Sequence, residues 1–315
     1  MRSLIGAVLV STTLVGATSA FAADLPVKAP PMAVDTVYNW TGFYVGVNAG
    51  YGWANSEIDP AGTNTFCNPL LGGCGPGVFP GGIPADVASA RAVPPAISPN
   101  ARGGLVGGTI GYNKQFGSWV AGLEADLAWA NITGSDTRTG APVSLTGPAV
   151  PGTSFIGTAS ASTQIRDFGT VRGRLGYTPS AALLLYGTGG LAYGQVSSSA
   201  TITEASIGPC GFGSCPFTPA VASTSSTRVG WTLGAGAEYR FMGQWSLKAE
   251  YLYYDLGRLG YAFSPLASTG ACGPALPCPF TSVNVTSSSS DIRGSIIRIG
   301  LNYSFGNYGI INARY

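Results

Sequence analysis

The feature of this 315-residue chain that most constrains its fold is an alternation between long and short connections. Eight amphipathic segments lie between Phe43 and Phe305, and the connections that join them are by turns long and short. The long connections run roughly over residues 54–102, 133–162, 197–227 and 257–291, and the short ones cover residues 117–118, 179–181 and 241–244. Short turns on one side and long loops on the other are typical of an up-and-down β-barrel that crosses an outer membrane.

Each segment repeats its polarity every two residues. In the seventh segment, Trp245, Leu247 and Tyr251 fall on one face, while Lys248 and Glu250 fall on the other. A period of two indicates a β-strand, and each apolar face has about the length of a tilted membrane-spanning strand, roughly 9 to 11 residues. We therefore predict an all-β fold: an eight-stranded antiparallel up-and-down transmembrane β-barrel with four long extracellular loops and short periplasmic turns.

A soluble β-sandwich would alternate in the same way, so the positions of the aromatic residues are needed to choose between the two folds. If the first strand rises from the periplasm, the large outward aromatics fall at strand ends. We predict Trp40, Tyr112, Trp119, Tyr177, Tyr239, Trp245 and Tyr303 at the periplasmic rim, and Trp53, Trp129, Tyr193, Trp231 and Tyr253 at the outer rim. Two aromatic girdles are typical of the membrane interfaces, whereas a soluble core has no reason to place aromatics at strand ends.

The composition agrees with a barrel. Charged residues make up 10% of the chain, against about 25% in soluble domains. Beyond the N-terminus no run approaches the roughly 18 consecutive apolar residues that indicate a transmembrane helix. The net charge of +2 gives no basic footprint, so we predict no nucleic-acid partner.

The N-terminus predicts secretion. An apolar run over residues 4–17 precedes Ala20-Phe21-Ala22, and this pattern of small residues at Ala20 and Ala22 indicates signal-peptide cleavage after residue 22. The Pro-rich residues 23–39 predict an extended periplasmic arm, residues 40–306 the barrel, and residues 307–315 a C-terminal tail. We therefore expect an integral protein of the cell outer membrane with both termini in the periplasm.

All six cysteines lie in the long connections, two in each of three connections. Six cysteines allow fifteen pairings, but closeness in sequence favours three local disulfides, each contributing roughly 2 to 2.5 kcal/mol. The chain has no CxxC motif and no histidine, so we predict neither a metal site nor a cofactor. The predicted disulfides join Cys67 to Cys74, Cys210 to Cys215, and Cys272 to Cys278.

Charged residues occupy inward positions of the predicted strands. Because the interior of an eight-stranded barrel is only wide enough for side chains to fill it, we predict a buried ion-pair network that plugs the lumen. The alternative is a path for small ions or solutes through a narrow porin. The residues concerned are Glu124, Asp126, Arg172, Arg174, Glu238, Arg240, Lys248, Glu250 and Arg298.

We do not expect an enzyme. The chain has no histidine to act as a general base beside a nucleophile. Glu124 and Asp126 could share a proton in principle, but the several arginines predicted beside them favour salt bridges instead.

Several segments resemble a known family. The runs over residues 39–46, 167–177, 185–194 and 248–253 are similar to those of the small outer-membrane β-barrel family of immunogenic surface antigens, of the alpha-proteobacterial type. That porin-like family is related to the opacity proteins and the OmpA membrane domain. The resemblance covers nearly the whole mature chain. It implies a structural, surface-exposed and immunogenic membrane protein; a third interpretation is an adhesin or ligand binder that acts through its loops.

The resemblance also implies partners. These are outer-membrane lipid and lipopolysaccharide, the barrel-assembly machinery and periplasmic chaperones, with host or surface ligands as further candidates. The assembly machinery of the family recognises the end of the last strand, which matches Tyr303 and Phe305 here. Terminal Tyr315 is the alternative signal. We favour Phe305, because the outward phase of residues 297–305 breaks at Gly306.

Overall fold

A computed structural model of the protein describes residues 39–58, 61–63, 66–68, 73–75, 91–94, 96–144, 154–207, 217–264, 267–268, 270–271, 277–278, 284–286 and 288–306. Among these residues, no helix is long and apolar enough to cross a bilayer. The predicted signal peptide with Ala20 and Ala22, the arm up to residue 38 and the tail over residues 307–315 lie outside the described residues.

Eight long strands build the fold. They are β1 (Gly42–Asn55), β2 (Ala101–Phe116), β3 (Trp119–Thr139), β4 (Ser154–Ser180), β5 (Leu183–Ile207), β6 (Ala220–Met242), β7 (Trp245–Tyr261) and β8 (Ser288–Ser304). Each strand pairs antiparallel with the next in sequence, and β8 pairs back onto β1 with Tyr303 opposite Val45. The sheet therefore closes on itself, which leaves no free edge along the paired region. The predicted up-and-down barrel of eight strands is confirmed.

Three tight hairpins define one end of the barrel, which we call the turn end; the other is the loop end. The hairpins are closed by the pairs Phe116–Trp119, Ser180–Leu183 and Met242–Trp245, so two residues lie in each turn. Gly117 and Gly243 have positive φ values of 60° and 51°, a left-handed conformation that glycine adopts without a steric penalty.

The half of the barrel nearer the turn end has an apolar exterior. Leu123, Leu175 and Ile299 are between 58% and 69% exposed there, although their side chains are apolar. Aromatic rings pack against each other at the turn end: the ring centroids are 5.6 Å apart for Trp119–Tyr177 and 5.0 Å apart for Trp245–Tyr303. An apolar band bounded by aromatic residues is the surface that a barrel presents to lipid.

The prediction for Trp40 was wrong. Instead of joining the outward girdle, Trp40 is only 3% exposed and lies beneath the lumen at the turn end. Its ring faces the Arg240 guanidinium at 4.5 Å, and its backbone N–H donates to Gln115 Oε1 at 2.8 Å. Trp40 belongs to the even-numbered, inward phase of Tyr44, so an outward position for Trp40 does not fit the phase of β1.

The strands also extend further into the long connections than predicted. For example, β3 continues to Thr139 and β4 begins at Ser154, where we had expected loop from residue 133 to residue 162. In this extension the polarity of the sheet is inverted: Ser135 and Ser162 face outward, while Ile132 and Ile165 are fully buried inside. Because the outward face is no longer apolar, the pattern that marked the membrane-spanning strands ends before the strands do.

Short strands lie in or beside the loops. They are Ala61–Thr63, Phe66–Asn68, Gly73–Gly75, Val143–Ser144, Phe217–Thr218, Ala267–Ser268, Gly270–Ala271, Pro277–Cys278 and Asn284–Thr286. The short strands Phe66–Asn68 and Gly73–Gly75 pair with each other, and Cys67 lies opposite Cys74 in their register. Cys210, Cys215 and Cys272 lie outside the described residues, so the three disulfides stay a prediction.

One part of the first long connection enters the barrel. Ile58 and Ile97 exchange two backbone hydrogen bonds of 2.8 and 2.9 Å, and both side chains are buried in the lumen at the loop end. The backbone N–H of Ser98 donates to Asp136 Oδ2 at 3.1 Å, and this bond, with help from Arg138, holds the pKa of Asp136 below its usual range. The connection is therefore anchored to the extended rim of β3.

Candidate functional site in the barrel lumen

The charged side chains of β3 and β4 meet inside the barrel because both strands keep the two-residue phase. Glu124 lies opposite Arg172 in the register, and Gly122 lies opposite Arg174. Glu124, Arg172 and Arg174 are each at most 3% exposed. Alternation along two neighbouring strands is thus enough to bring acids and bases together in the lumen.

Arg172 is the centre of this arrangement. Its guanidinium donates to a Glu124 carboxylate oxygen, to Asp126 Oδ2 at 3.0 Å and to Glu250 Oε1 at 2.8 Å. A further bond of 3.0 Å runs to the hydroxyl of Thr188. One side chain from β4 therefore joins carboxylates of β3 and β7 across the lumen.

Two further cations complete the neutralisation of these three carboxylates. Arg298 on β8 donates from Nε to Glu250 Oε2 at 2.7 Å and from Nη2 to Asp126 Oδ2 at 3.1 Å. Lys248 on β7 donates to Glu124 Oε2 at 3.0 Å. Charge-assisted bonds of this length are the stronger class of protein hydrogen bond.

A second group lies nearer the turn end and centres on Glu238. Its carboxylate accepts from the Arg174 guanidinium, from the Ser246 hydroxyl at 2.5 Å and from Asn302 Nδ2 at 2.8 Å. Arg174 also lies over the ring of Tyr186, with 3.7 Å between the guanidinium carbon and the ring centroid. The hydroxyl of Tyr44 connects the two groups, since it donates to Glu124 at 2.7 Å and accepts from Arg174 at 3.3 Å.

Eight of the nine predicted luminal residues thus form one connected network, which we call the charge cluster. It holds four cations and four carboxylates, so its charges balance, and all eight side chains are buried. The ninth, Arg240, lies apart at the turn end, where it donates to the Asn39 carbonyl at 3.1 Å. The members of the cluster are Glu124, Asp126, Arg172, Arg174, Glu238, Lys248, Glu250 and Arg298.

The neutral partners of the charge cluster were not predicted. Tyr44, Thr188, Ser246 and Asn302 are polar residues in the inward phase of their strands, and each is 4% exposed or less. That phase was visible in the sequence, because it is the same phase that placed the charges. Which hydroxyl would meet which charge depends on strand stagger, which the sequence alone does not specify.

An apolar layer fills the lumen on the loop side of the charge cluster. The rings of Phe168 and Tyr254 pack with centroids 5.0 Å apart. Leu252 and Ile296 belong to the same layer and lie next to the charge cluster, since each is two residues along its strand from Glu250 or Arg298. We call it the apolar core. It includes Ile58, Ile97, Ile132, Ile165, Phe168, Val196, Ile202, Leu252, Tyr254, Leu259, Ile292 and Ile296, each at most 1% exposed.

Hydroxyl groups cover the exterior of the barrel around the apolar core. Ser162 and Ser199 share a hydrogen bond of 2.9 Å between neighbouring strands, and Ser197 and Ser225 share another of 2.9 Å. The exterior is thus polar where the interior is apolar, and apolar where the interior is charged. This reversal marks the level at which the sheet leaves an apolar surrounding and enters water.

A closed antiparallel barrel with a lipid-compatible band and a filled lumen defines an integral outer-membrane protein. The family model of the outer membrane protein beta-barrel domain matches residues 11–305, and the chain belongs to this family. The 31 kDa outer-membrane immunogenic protein of Brucella melitensis biotype 1 is 33% identical over 311 residues, which cover 97% of this chain and 100% of that protein. The resemblance to immunogenic outer-membrane proteins and the outer-membrane location are therefore confirmed.

One further relative matches a shorter part of the chain. The 22 kDa outer membrane protein of Rhizobium leguminosarum bv. viciae is 30% identical over 145 residues, or 46% of this chain and 49% of that protein. Among solved structures, the outer membrane protein OprG of Pseudomonas aeruginosa matches 86% of this chain and 100% of its own, with 11% identity and a TM-score of 0.33. Ail of Yersinia pestis matches 84% and 99%, with 13% identity and a TM-score of 0.29.

Proposed function

We propose that the protein is a structural, surface-exposed barrel of the outer membrane whose lumen does not conduct. The observation that carries the proposal is the pair of stacked layers in the lumen: the charge cluster and, on its loop side, the apolar core. An ion that crossed the barrel would have to separate Arg172 from its carboxylates and then pass the mostly apolar side chains of the core. Each step removes stabilising contacts that a narrow lumen cannot replace with water.

The narrow-porin alternative needs a continuous polar path. Luminal charges of both signs are present, but Glu124, Asp126 and Glu250 are all engaged by guanidinium or ammonium groups. The same engagement argues against acid–base catalysis, since none of these carboxylates is left to exchange a proton with a substrate. Among the described residues, no group of three or more metal-ligating side chains is placed to hold a metal ion.

Conductance tests the proposal directly. Refolded protein inserted into a planar bilayer in 1 M KCl should give a current indistinguishable from the protein-free bilayer, because both layers block the path. A large open porin inserted under the same conditions serves as the positive control. Steady ohmic channels whose ion selectivity changes in Glu250→Gln would show a wet lumen and replace this proposal with the narrow porin.

We also propose that the loop end faces the outside of the cell and that both termini lie in the periplasm. Support comes from the tight hairpins, since short periplasmic turns and long outer loops are the rule in such barrels. The strand end agrees with a periplasmic assembly signal: the backbone N–H of Phe305 donates to the Phe43 carbonyl at 2.8 Å, and the Tyr303 ring packs on Phe305. Membrane lipid, lipopolysaccharide, periplasmic chaperones and the barrel-assembly machinery are the partners this placement implies.

Thiol labelling of intact cells checks the orientation. In a variant without the six native cysteines, Ser223→Cys at the loop end should react with a membrane-impermeant thiol reagent. Ser118→Cys, in a hairpin at the turn end, should stay unlabelled until the outer membrane is permeabilised. Both positions are exposed on the barrel, so accessibility within the protein does not bias the comparison. The reverse labelling pattern would show that the loop end faces the periplasm.

A further inference from the structure

A cleft of about 650 Å³ lies on the exterior of the barrel, at the level where the apolar band ends. Its two side walls are Trp53 on β1 and Tyr253 on β7, and its floor is Gly294 and Ser295 on β8. The volume is within the range of about 300–1,000 Å³ that is typical of small-molecule sites. Its aromatic walls face outward from the barrel, so the cleft stands independently of the proposal on conductance.

The register fixes the width of this cleft. Ser295 pairs with Trp53 on one side and with Tyr253 on the other, so the two aromatic residues are two strands apart with a small residue between them. Two strand spacings amount to about 9.5 Å. Ser295 is only 6% exposed although it points outward, and its hydroxyl shares a hydrogen bond of 2.8 Å with the Tyr251 hydroxyl. A flat ring that contacts both walls fits this spacing.

The rim of the cleft on the loop side is polar. Asn55, Glu57, Ser98 and Asn100 line it and together offer amide donors, one hydroxyl and a carboxylate. Among the described residues Glu57 takes part in no salt bridge, which leaves its carboxylate free to accept hydrogen bonds.

The single cation in the lining is already neutralised. Arg293 forms salt bridges with Asp255 at 3.0 Å and with Asp291 at 3.2 Å. The charged lining of the cleft is Glu57, Asp291 and Arg293, two negative charges and one positive, so the lining carries a net charge of −1. An anionic ligand such as a phosphate would therefore be repelled, whereas a neutral or amino-bearing ligand would not.

We propose that this cleft binds a saccharide. A pyranose ring has two faces of C–H groups, which suit the aromatic walls, and an edge of hydroxyls, which suit Asn55, Glu57 and Asn100. Aromatic side chains with an apolar face and a polar tip suit such amphipathic ligands. The ligand class is a neutral or amino sugar without phosphate at the bound ring. Both the sugars of the membrane's own lipopolysaccharide and soluble glycans present this chemistry at this level.

The test is a binding titration of the refolded barrel in a zwitterionic detergent without a sugar headgroup. Three probes are compared by calorimetry: the trisaccharide of N-acetylglucosamine, purified lipopolysaccharide, and glucose 6-phosphate. We expect saturable binding of the trisaccharide or lipopolysaccharide and none of the sugar phosphate. Trp53→Ala should weaken binding about tenfold. Ser295→Phe, which fills the floor but keeps both walls, should weaken it in the same way and covers the case in which Trp53→Ala fails to fold.

The matched control is Trp129→Ala. Trp129 is a tryptophan of the same rim, 72% exposed, and it does not line the cleft, so its removal should leave binding unchanged. Binding of lipopolysaccharide alone that depends on Trp53 would support the proposal with the membrane as the source of the sugar, and binding of the trisaccharide would support it with a soluble source. Equal losses in Trp53→Ala and Trp129→Ala, no binding of either probe, or tighter binding of glucose 6-phosphate would each overturn it.

Discussion

Replacing Arg172 by alanine should destabilise the folded barrel by about 3 to 5 kcal/mol, the cost of breaking a fully buried ion pair by removing one partner. The change leaves Glu124, Asp126 and Glu250 facing each other with one cation fewer in a region that water does not reach. Glu124→Ala should act in the same direction, because it strands Lys248. The measurement is the temperature at which the barrel loses its β-sheet signal in detergent.

Arg293→Ala is the matched control for this prediction. Arg293 also bridges two carboxylates, but its side chain is 54% exposed. Exposed salt bridges contribute about 0 to 1 kcal/mol, so this variant should unfold close to the parent temperature. Similar small effects of Arg172→Ala and Arg293→Ala would mean that the luminal carboxylates are solvated, which would contradict a dry lumen.

Leu123→Arg should prevent or strongly weaken folding into lipid bilayers, while Ser135→Arg should not. Both side chains point outward from β3, but Leu123 lies within the apolar band at 69% exposure and Ser135 lies on the extension beyond Trp129. An arginine on the lipid face near the bilayer midplane costs about 2 to 4 kcal/mol, and the cost falls to nearly nothing at the interface. The measurement is the equilibrium between folded and urea-unfolded protein in the presence of lipid vesicles.

The two substitutions control for each other, since each places the same charged residue on the same strand and the same face. If Ser135→Arg proved as costly as Leu123→Arg, the extension would lie within the bilayer. The reversal of polarity would then have to be explained by something other than a change of solvent.

The sequence predicted the membrane-spanning part of each strand well, because there the outward face is apolar and the inward face polar or charged. It failed to predict the extension from Thr133 to Thr139, where alternation continues with its sign reversed. A search for apolar outward faces cannot detect such a strand. Placing Ile132 and Ile165 in one interior would have required knowing that both strands continue, which depends on pairing across the barrel.

For the candidate site, too, the sequence predicted one part and missed another. The charges of the lumen could be predicted because strand phase decides which side chains face inward. Their pairing could not, because it depends on how far each strand is staggered against its neighbour. The cleft between Trp53 and Tyr253 was missed for a related reason: its walls come from β1 and β7, which are separated by β8 in space and by most of the chain in sequence.

The position of Arg298 has a consequence for how the barrel is made. Without β8, the charge cluster would contain three cations, Arg172, Arg174 and Lys248, against four carboxylates, and would carry one excess negative charge. Arg298 on β8 supplies the fourth cation, with contacts to Glu250 and Asp126, and the same strand pairs with β1. A sheet that lacks β8 is thus electrically incomplete, and the strand that closes the cylinder against β1 also balances the charge of its interior.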